Sequence, residues 1–396
     1  MVVVVSILLF FPYIIVAIDT LFRLLYLVVR VFYNLPDDSP DNFGTKLLFL
    51  VIAHDEEDVI ENTINVLLRG AANRSETKTI LLCDHCSDRT SKIGILAGVH
   101  VVSRMDGLPG KGQALSWFVE NYKQEIASTD IIIILDADSL VDSCFSDNIR
   151  KAFATPNIRV VQSQIFPIRS NDHTLALLAS YSELLSQHID DLARQHLKWS
   201  VPLRGTGMAF RSDVFRTIGY NLQTQVEDIE ISIRLAKMRI PVHFSPHCLV
   251  FDPKASKMLG LARQRGRWLK GQRHILFTLK NDLWNILRFG LAEWSLIQAL
   301  LLKPKTLLAL IKISLLLFAV LFPFLPLGFN NLLIASLVLS FSIDFLYYFY
   351  GLTLVPQHPK YLSALLCSPI YLVLWLASWV YSILPGQGWL RGRDEP

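Results

Sequence analysis

"TDIIIILDADSLVD", residues 129–142, drives four isoleucines and a leucine directly into Asp136-Ala137-Asp138. An unbroken apolar run rich in β-branched residues reads as a strand buried on both faces, the habit of a parallel sheet. Residues two apart share a face of a strand, so the two carboxylates point the same way. Two charges closing a buried strand are costly unless something neutralises them. A solvated turn would do this. So would a divalent metal at the carboxyl end of a parallel sheet, where open α/β folds place their ligands.

The flanking segments alternate regularly. "KLLFLVIAH" (46–54) reads as a strand and "DEEDVIENTINVLLRG" (55–70) as a helix opened by acids and closed by Gly70. "TKTILLC" (77–83) is a strand, "SDRTSKIGILAG" (87–98) a short helix, "VHVVSR" (99–104) a strand and "GKGQALSWFVENYKQ" (110–124) a helix. After the DAD strand come the helix "CFSDNIRKAFA" (144–154) and the strand "IRVVQSQI" (158–165). This β-α-β-α order predicts an α/β domain whose mostly parallel sheet is covered by helices.

Polar residues gather where these strands end. His54, Asp55, Glu56 and Glu57 follow the first, Asp84 and Asp88 the second, Asp136 and Asp138 the later one. N-cap preference accounts for Asp55 and Ser87, and less well for three such clusters. "GLPGKGQAL" (107–115) places Lys111 in a glycine-rich loop but lacks P-loop spacing and a terminal Ser or Thr. Gly205 and Gly207 bracket Thr206, which permits close backbone approach of a ligand or a simple turn. In "QVEDIEISIRLAK" (225–237), Glu227-Asp228 precede a pattern that fits a strand or a helix, and periodicity leaves both open. Gln264, Arg267, Trp268 and Gly271 fall on one helical face, a pattern that a membrane-surface helix also shows.

The chain has 396 residues and is 52% hydrophobic. Its mean hydropathy of +0.38 exceeds that of an ordinary soluble protein, and the excess sits at the ends. Residues 1–33 lack a basic start and a cleavage site, so they read as an anchor long enough to span a bilayer. Arg23 and Arg30 at its far end predict that the following domain is cytoplasmic. Apolar stretches return near 306–328, 330–352 and 362–384. From Lys254 to Lys280 there are eight basic residues and no acid, which suits an anionic membrane surface or ligand. Nothing argues for nucleic acid. Five scattered cysteines make no disulfide framework, and the lone C-x-x-C at Cys83 and Cys86 lacks the second pair a zinc site needs.

The Asp84 loop, the D-x-D at 136–138, the E-D at 227–228 and the Q-x-x-R-W at 264–268 occur in order between apolar flanks. Together they resemble the membrane-bound branch of glycosyltransferase family 2, the relatives of cellulose, chitin and hyaluronan synthases. The resemblance covers residues 47–272 and implies a GT-A, Rossmann-like domain that transfers a sugar from a UDP-sugar with inversion. It implies an N-terminal transmembrane anchor over 1–33, a cytoplasmic catalytic domain over 44–253 and interfacial amphipathic helices over 254–303. About three transmembrane helices over 304–385 and a short tail over 386–396 complete the layout, in the inner membrane.

By the same resemblance, Ala53, His54, Glu56 and Asp84 hold the nucleoside, with Lys111, Gln264 and Arg267 on the rest of the donor. Asp136 and Asp138 bind Mg²⁺ or Mn²⁺, Asp136 also meeting the donor. Asp228 is the base and Glu227 its neighbour in the catalytic pair; Gly205, Thr206 and Trp268 meet the acceptor. The partners implied are the UDP-sugar, a growing glycan or lipid acceptor, membrane lipids and other members of a synthase complex. Three readings follow: processive building of a β-linked polysaccharide, single transfer to a membrane lipid, and a non-catalytic subunit of a synthase complex. One departure stands out. Synthases of this kind often carry F-F-C-G before the glycine-threonine element, whereas here Arg204 takes the cysteine position.

Overall fold

A computed structural model describes residues 2–32, 44–71, 76–169, 174–219, 221, 222, 224, 226–254, 258–302, 305–321, 327–356 and 358–384. The tail 386–396 lies outside them. After helix α1 (Val2–Phe32) the domain runs β1 (Leu47–Ala53), α2 (Ile60–Ala71), β2 (Thr77–Asp84), α3 (Thr90–Leu96) and β3 (His100–Arg104). It continues through α4 (Lys111–Asn121), α5 (Lys123–Ala127), β4 (Ile131–Asp136), β5 (Leu140–Val141), α6 (Phe145–Ala152) and β6 (Val160–Arg169).

The isoleucine run is β4, and it divides its side chains between two cores. Ile132 and Ile134 pack with Leu50, Leu115 and Phe210 on one side, Ile131, Ile133 and Leu135 with Val51, Ile64 and Phe145 on the other. Burial on both faces is why the sequence shows no alternation. The strand stops at Asp136, and the backbone turns at once, Ser139 N–H donating to Asp136 O at 3.1 Å. Asp138 therefore stands in the turn, not on the strand face that a period of two predicts.

The sheet order is β3-β2-β1-β4-β7-β6-β8-β5, with β7 (Met208–Arg211) and β8 (Val242–Lys254) later in the chain. Strands β3, β2, β1 and β4 are mutually parallel. Their registers pair Ala53 with Cys83, Asp84 with Arg104 and Ile52 with Asp136, so the polar strand ends line up along one edge. The other half is mixed: β7 runs antiparallel to β4 and β6, while β6 and β8 are parallel with a register shift after Ser163. Opposite that shift, pairing skips from Ser245 to Leu249, passing Pro246, which has no N–H to give the ladder.

Between β6 and β7 lie α7 (Thr174–Leu185), a π-helix (Ser186–Asp191) and α8 (Leu192–His196). After β7 come α9 (Ser212–Thr217) and α10 (Glu227–Lys237), which settles the open segment 225–237 as a helix. Beyond β8 the chain is helical: α11 (Met258–Thr278), α12 (Lys280–Leu287), α13 (Leu291–Leu301), α14 (Lys305–Leu321), α15 (Leu327–Leu352), α16 (His358–Leu366) and α17 (Ser368–Ile383). Among the described residues, Asn330–Leu352 is long and apolar enough to cross a membrane, with mean hydropathy 1.9. The stretch expected as a third span is two helices meeting at 66°, apolar and long enough to cross only if taken together.

Helix α1 packs on α14, α15 and the π-helix. Arg23 is not the boundary charge the sequence suggests. It is buried, 3.4 Å from Asp19 and 2.9 Å from Asp344, and lies over Tyr347, so its charge is neutralised inside the helix layer. Arg30, at the end of α1, donates from Nε to His188 O at 2.9 Å.

Candidate active site

Two groups of residues form at the carboxyl edge of the parallel strands. The first surrounds Asp84, whose side chain is fully buried at the end of β2. Its Oδ1 meets the Arg104 guanidinium and lies 3.0 Å from His85 Nδ1, and its Oδ2 accepts Gly110 N–H at 2.8 Å. His54 Nδ1 lies 2.6 Å from Asp84 O, which ties the end of β1 to that of β2. Ala53 is buried and its carbonyl accepts from Cys86 Sγ at 3.5 Å; Glu56 N–H donates to Thr90 Oγ1 at 2.7 Å.

Asp55 does not cap α2. It adopts a left-handed φ of 53° and turns its carboxylate to Ser87 N–H at 2.6 Å and Asp88 N–H at 3.1 Å. Burial pushes this carboxyl up, but those backbone donors outweigh it and hold it below the usual carboxylate range. Asp88, rather than Ser87, serves the start of α3, accepting from Thr90 N–H at 2.9 Å.

The second group centres on Lys111 at the first turn of α4. Its ammonium contacts the Asp136 carboxylate, donates to Gly205 O at 2.7 Å and stands 3.6 Å from Glu227 Oε1. A Cβ on Gly205, where φ is 86°, would lie 3.9 Å from both Lys111 Nζ and Asp228 Oδ2. Thr206 Oγ1 accepts Asp136 N–H at 3.2 Å and shares a hydrogen bond with Ser139 at 2.8 Å. Burial lowers the Lys111 pKa, but Asp136 and Glu227 outweigh it, so the pKa stands well above its ordinary value and the group stays an ammonium. Lys111, Asp136, Gly205, Thr206, Glu227 and Asp228 are thus gathered in one place from α4, β4, the segment before β7 and α10.

Helix α11 approaches this group through Gly271. A Cβ on Gly271 would come within 2.6 Å of Val226, the residue before Glu227. Gln264 and Arg267 are half-buried, with Arg267 Nε hidden and without a hydrogen-bond partner, and Trp268 is 39% exposed.

A family model described as "Glycosyltransferase like family 2" matches residues 45–271, more than half of the sequence. The chain belongs to this family. A curated relative, the probable glycosyltransferase YdaM of Bacillus subtilis (strain 168), is 22% identical over 61% of this chain. The match spans 59% of that relative's length. Among solved structures, the mannosyltransferase PcManGT of Pyrobaculum calidifontis, in complex with GDP-Man and Mn²⁺, aligns with a TM-score of 0.56 at 14% identity. That alignment covers 95% of this chain and 99% of PcManGT, so the terminal helices take part in the shared fold.

For a family member, the donor set at the DAD turn fits a hard divalent cation: Asp136 and Asp138 are half-buried carboxylates, and the Lys111 ammonium beside Asp136 is shared with Glu227. Asp55, Cys86 and Asp88 also offer ligand atoms within 4.8 Å of one another. There the fit is poorer, because both carboxylates already accept backbone N–H groups. Sequence reasoning missed Arg104, buried against Asp84, and Gly110, whose N–H completes that carboxylate. The strand-end rule applied to β3 would have found Arg104. Gln162, which donates to Thr206 O at 3.0 Å, carries no comparable signal.

Proposed function

We propose that this protein transfers a sugar from a nucleoside diphosphate sugar to an acceptor hydroxyl with inversion, UDP being the nucleotide expected. The observation that carries this is the convergence of Lys111, Asp136, Gly205, Glu227 and Asp228 at the ends of parallel strands. Asp136 and Asp138 would hold Mg²⁺ or Mn²⁺, which supplies positive charge to the leaving diphosphate. Asp228 accepts the acceptor's proton. Its Oδ1 is fixed by Ile229 N–H at 2.9 Å, and Oδ2 faces Gly205. Glu227 faces the Lys111 ammonium, which suits it to orienting charge rather than taking a proton. Lys111, always cationic, keeps the acid cluster compact and offers a donor to phosphate oxygen.

Gly205, Thr206 and Trp268 line the acceptor side, and Ala53, His54, Glu56 and Asp84 the nucleoside side, with Gln264 and Arg267 closing over the donor. The apolar helices hold the domain at the cytoplasmic face of the inner membrane. The product is a β-linked glycan built processively. Single transfer to a membrane lipid is the second reading, favoured by buried contacts that run from Arg204 beside the acceptor wall into α1 and α13. Membranes containing the full chain, given a panel of UDP- and GDP-sugars with Mn²⁺ and followed by product sizing, test both. Long products support processive synthesis, a single-sugar lipid the second reading. No transfer from any donor refutes the proposal.

A further inference from the structure

Residues 201–207, which carry Gly205 and Thr206, belong to no strand or helix. Strand ends such as Asp84 and Asp136 keep their places through the sheet, whereas this wall is held largely by side chains. Gln162 of β6 takes Arg204 N–H at 2.9 Å and holds Thr206 O at 3.0 Å. The second hold is longer. Arg204 reaches away from the sheet to Ser186 Oγ at 3.1 Å and to Asp191 Oδ2, both on the π-helix.

Asp191 is fully buried, and its Oδ1 faces Arg194 Nη1 at 3.2 Å. Arg194 continues outward: Nε donates to Ser295 Oγ of α13 at 2.9 Å, and the guanidinium lies 4.7 Å over the Tyr26 ring of α1. The wide π-turn gives consecutive acids different partners, since Asp190 Oδ1 accepts from Tyr347 OH of α15 at 3.0 Å. One carboxylate thus joins the residue next to Gly205 to the apolar helices. Without its charge, Arg194 and Arg204 would lose the carboxylate that both contact, and Arg204 would lose its direct anionic partner and leave its seat.

We infer that Asp191 is a positioning residue of the acceptor side, registering the Gly205–Thr206 wall to the apolar helices so that transfer to a membrane-borne acceptor depends on it and donor binding does not. The inference rests on the sugar transfer proposed above. A wall misplaced by about 1 Å costs about 10²-fold in rate.

The test uses the full chain in membranes or nanodiscs with Mn²⁺ and the UDP- and GDP-sugar panel. It reads nucleoside diphosphate affinity, donor hydrolysis by water, and sugar transfer to lipid-extractable or polymeric product. Asp191→Asn should match wild type in nucleotide affinity and hydrolysis while transfer falls by about 10²-fold, with part of it restored by Asp191→Glu. Equal losses in hydrolysis and transfer, or undiminished transfer, overturn the inference. If Asp191→Asn does not fold, Ser295→Ala carries the test, with the same split at smaller amplitude expected and its absence counting against Asp191. A wild-type chain inert toward every donor overturns the proposed activity itself, an outcome distinct from an active wild type with an unsplit variant.

Discussion

The two halves of the sheet hold functional residues by different means. In β3-β2-β1-β4, parallel ladders bring Ala53, Asp84, Arg104 and Asp136 to one edge, and side-chain contacts such as Arg104 on Asp84 and Lys111 on Asp136 act on positions the backbone already fixes. In β7-β6-β8-β5 the directions are mixed, and Gly205 and Thr206 arrive on a segment without a ladder. Backbone pairing fixes the side proposed for the nucleotide; side chains, Gln162 of β6, Ser232 of α10 (accepting Leu203 N–H at 3.1 Å) and Asp191 of the π-helix, fix the side proposed for the acceptor. Damage to the first should therefore be local, while the second should be sensitive to changes far from the chemistry.

The sharpest way to break this contrast is at Asp228, which stands on α10 outside both halves and faces Gly205. Asp228→Asn keeps shape and loses the basic oxygen, so transfer should fall by about 10²–10⁴-fold while nucleotide affinity is preserved. Near wild-type transfer in folded protein would place the base elsewhere. On the strand-held side, Asp136→Asn should cost about 10²–10³-fold in transfer and, unlike the first variant, should weaken nucleotide binding in Mn²⁺. Excess chelator should reproduce that loss. Unchanged nucleotide affinity in both tests would separate Asp136 from the donor.

Smaller effects sharpen the division further. Trp268→Ala should raise the acceptor KM several-fold and leave the donor KM alone; the reverse split would move Trp268 to the nucleotide half. The smallest effect concerns the Asp55 loop. Its carboxyl pKa is lowered on folding, so it contributes stability above the unfolded value of about 3.9, lost as pH falls through the folded value. Asp55→Asn should melt below wild type at pH 7, and that gap should close on acidification. A gap that persists at pH 2 would show that charge is not what Asp55 provides.

The same contrast governs how much could be read from the sequence. β1, β2 and β4 announce themselves because strands buried on both faces are continuous apolar runs, and the polar residues closing them stand out. Asp136 stood out for that reason; Glu227 and Asp228, which open α10, stood out only because the motifs come in order. β7 and β8 were not legible: "MAFR" is four residues long, and β8 carries Pro246, Pro253 and two histidines. Asp191 was equally hidden. Nothing local distinguishes an acid that will meet arginines 3 and 13 residues away from one that faces water.

Gly266 sits inside the Q-x-x-R-W segment on the side turned from the chemistry. A Cβ there would stand 2.7 Å from Tyr381 Cβ and 3.0 Å from Ser378 O, so α11 lies bare backbone against α17. Arg273 fastens the same seam by donating to Ser382 O at 2.9 Å. For anyone cutting the protein into a soluble fragment, the seam marks where the scissors cannot go. A fragment ending at 302 would keep every named motif and still lose the template against which its own Q-x-x-R-W helix is laid.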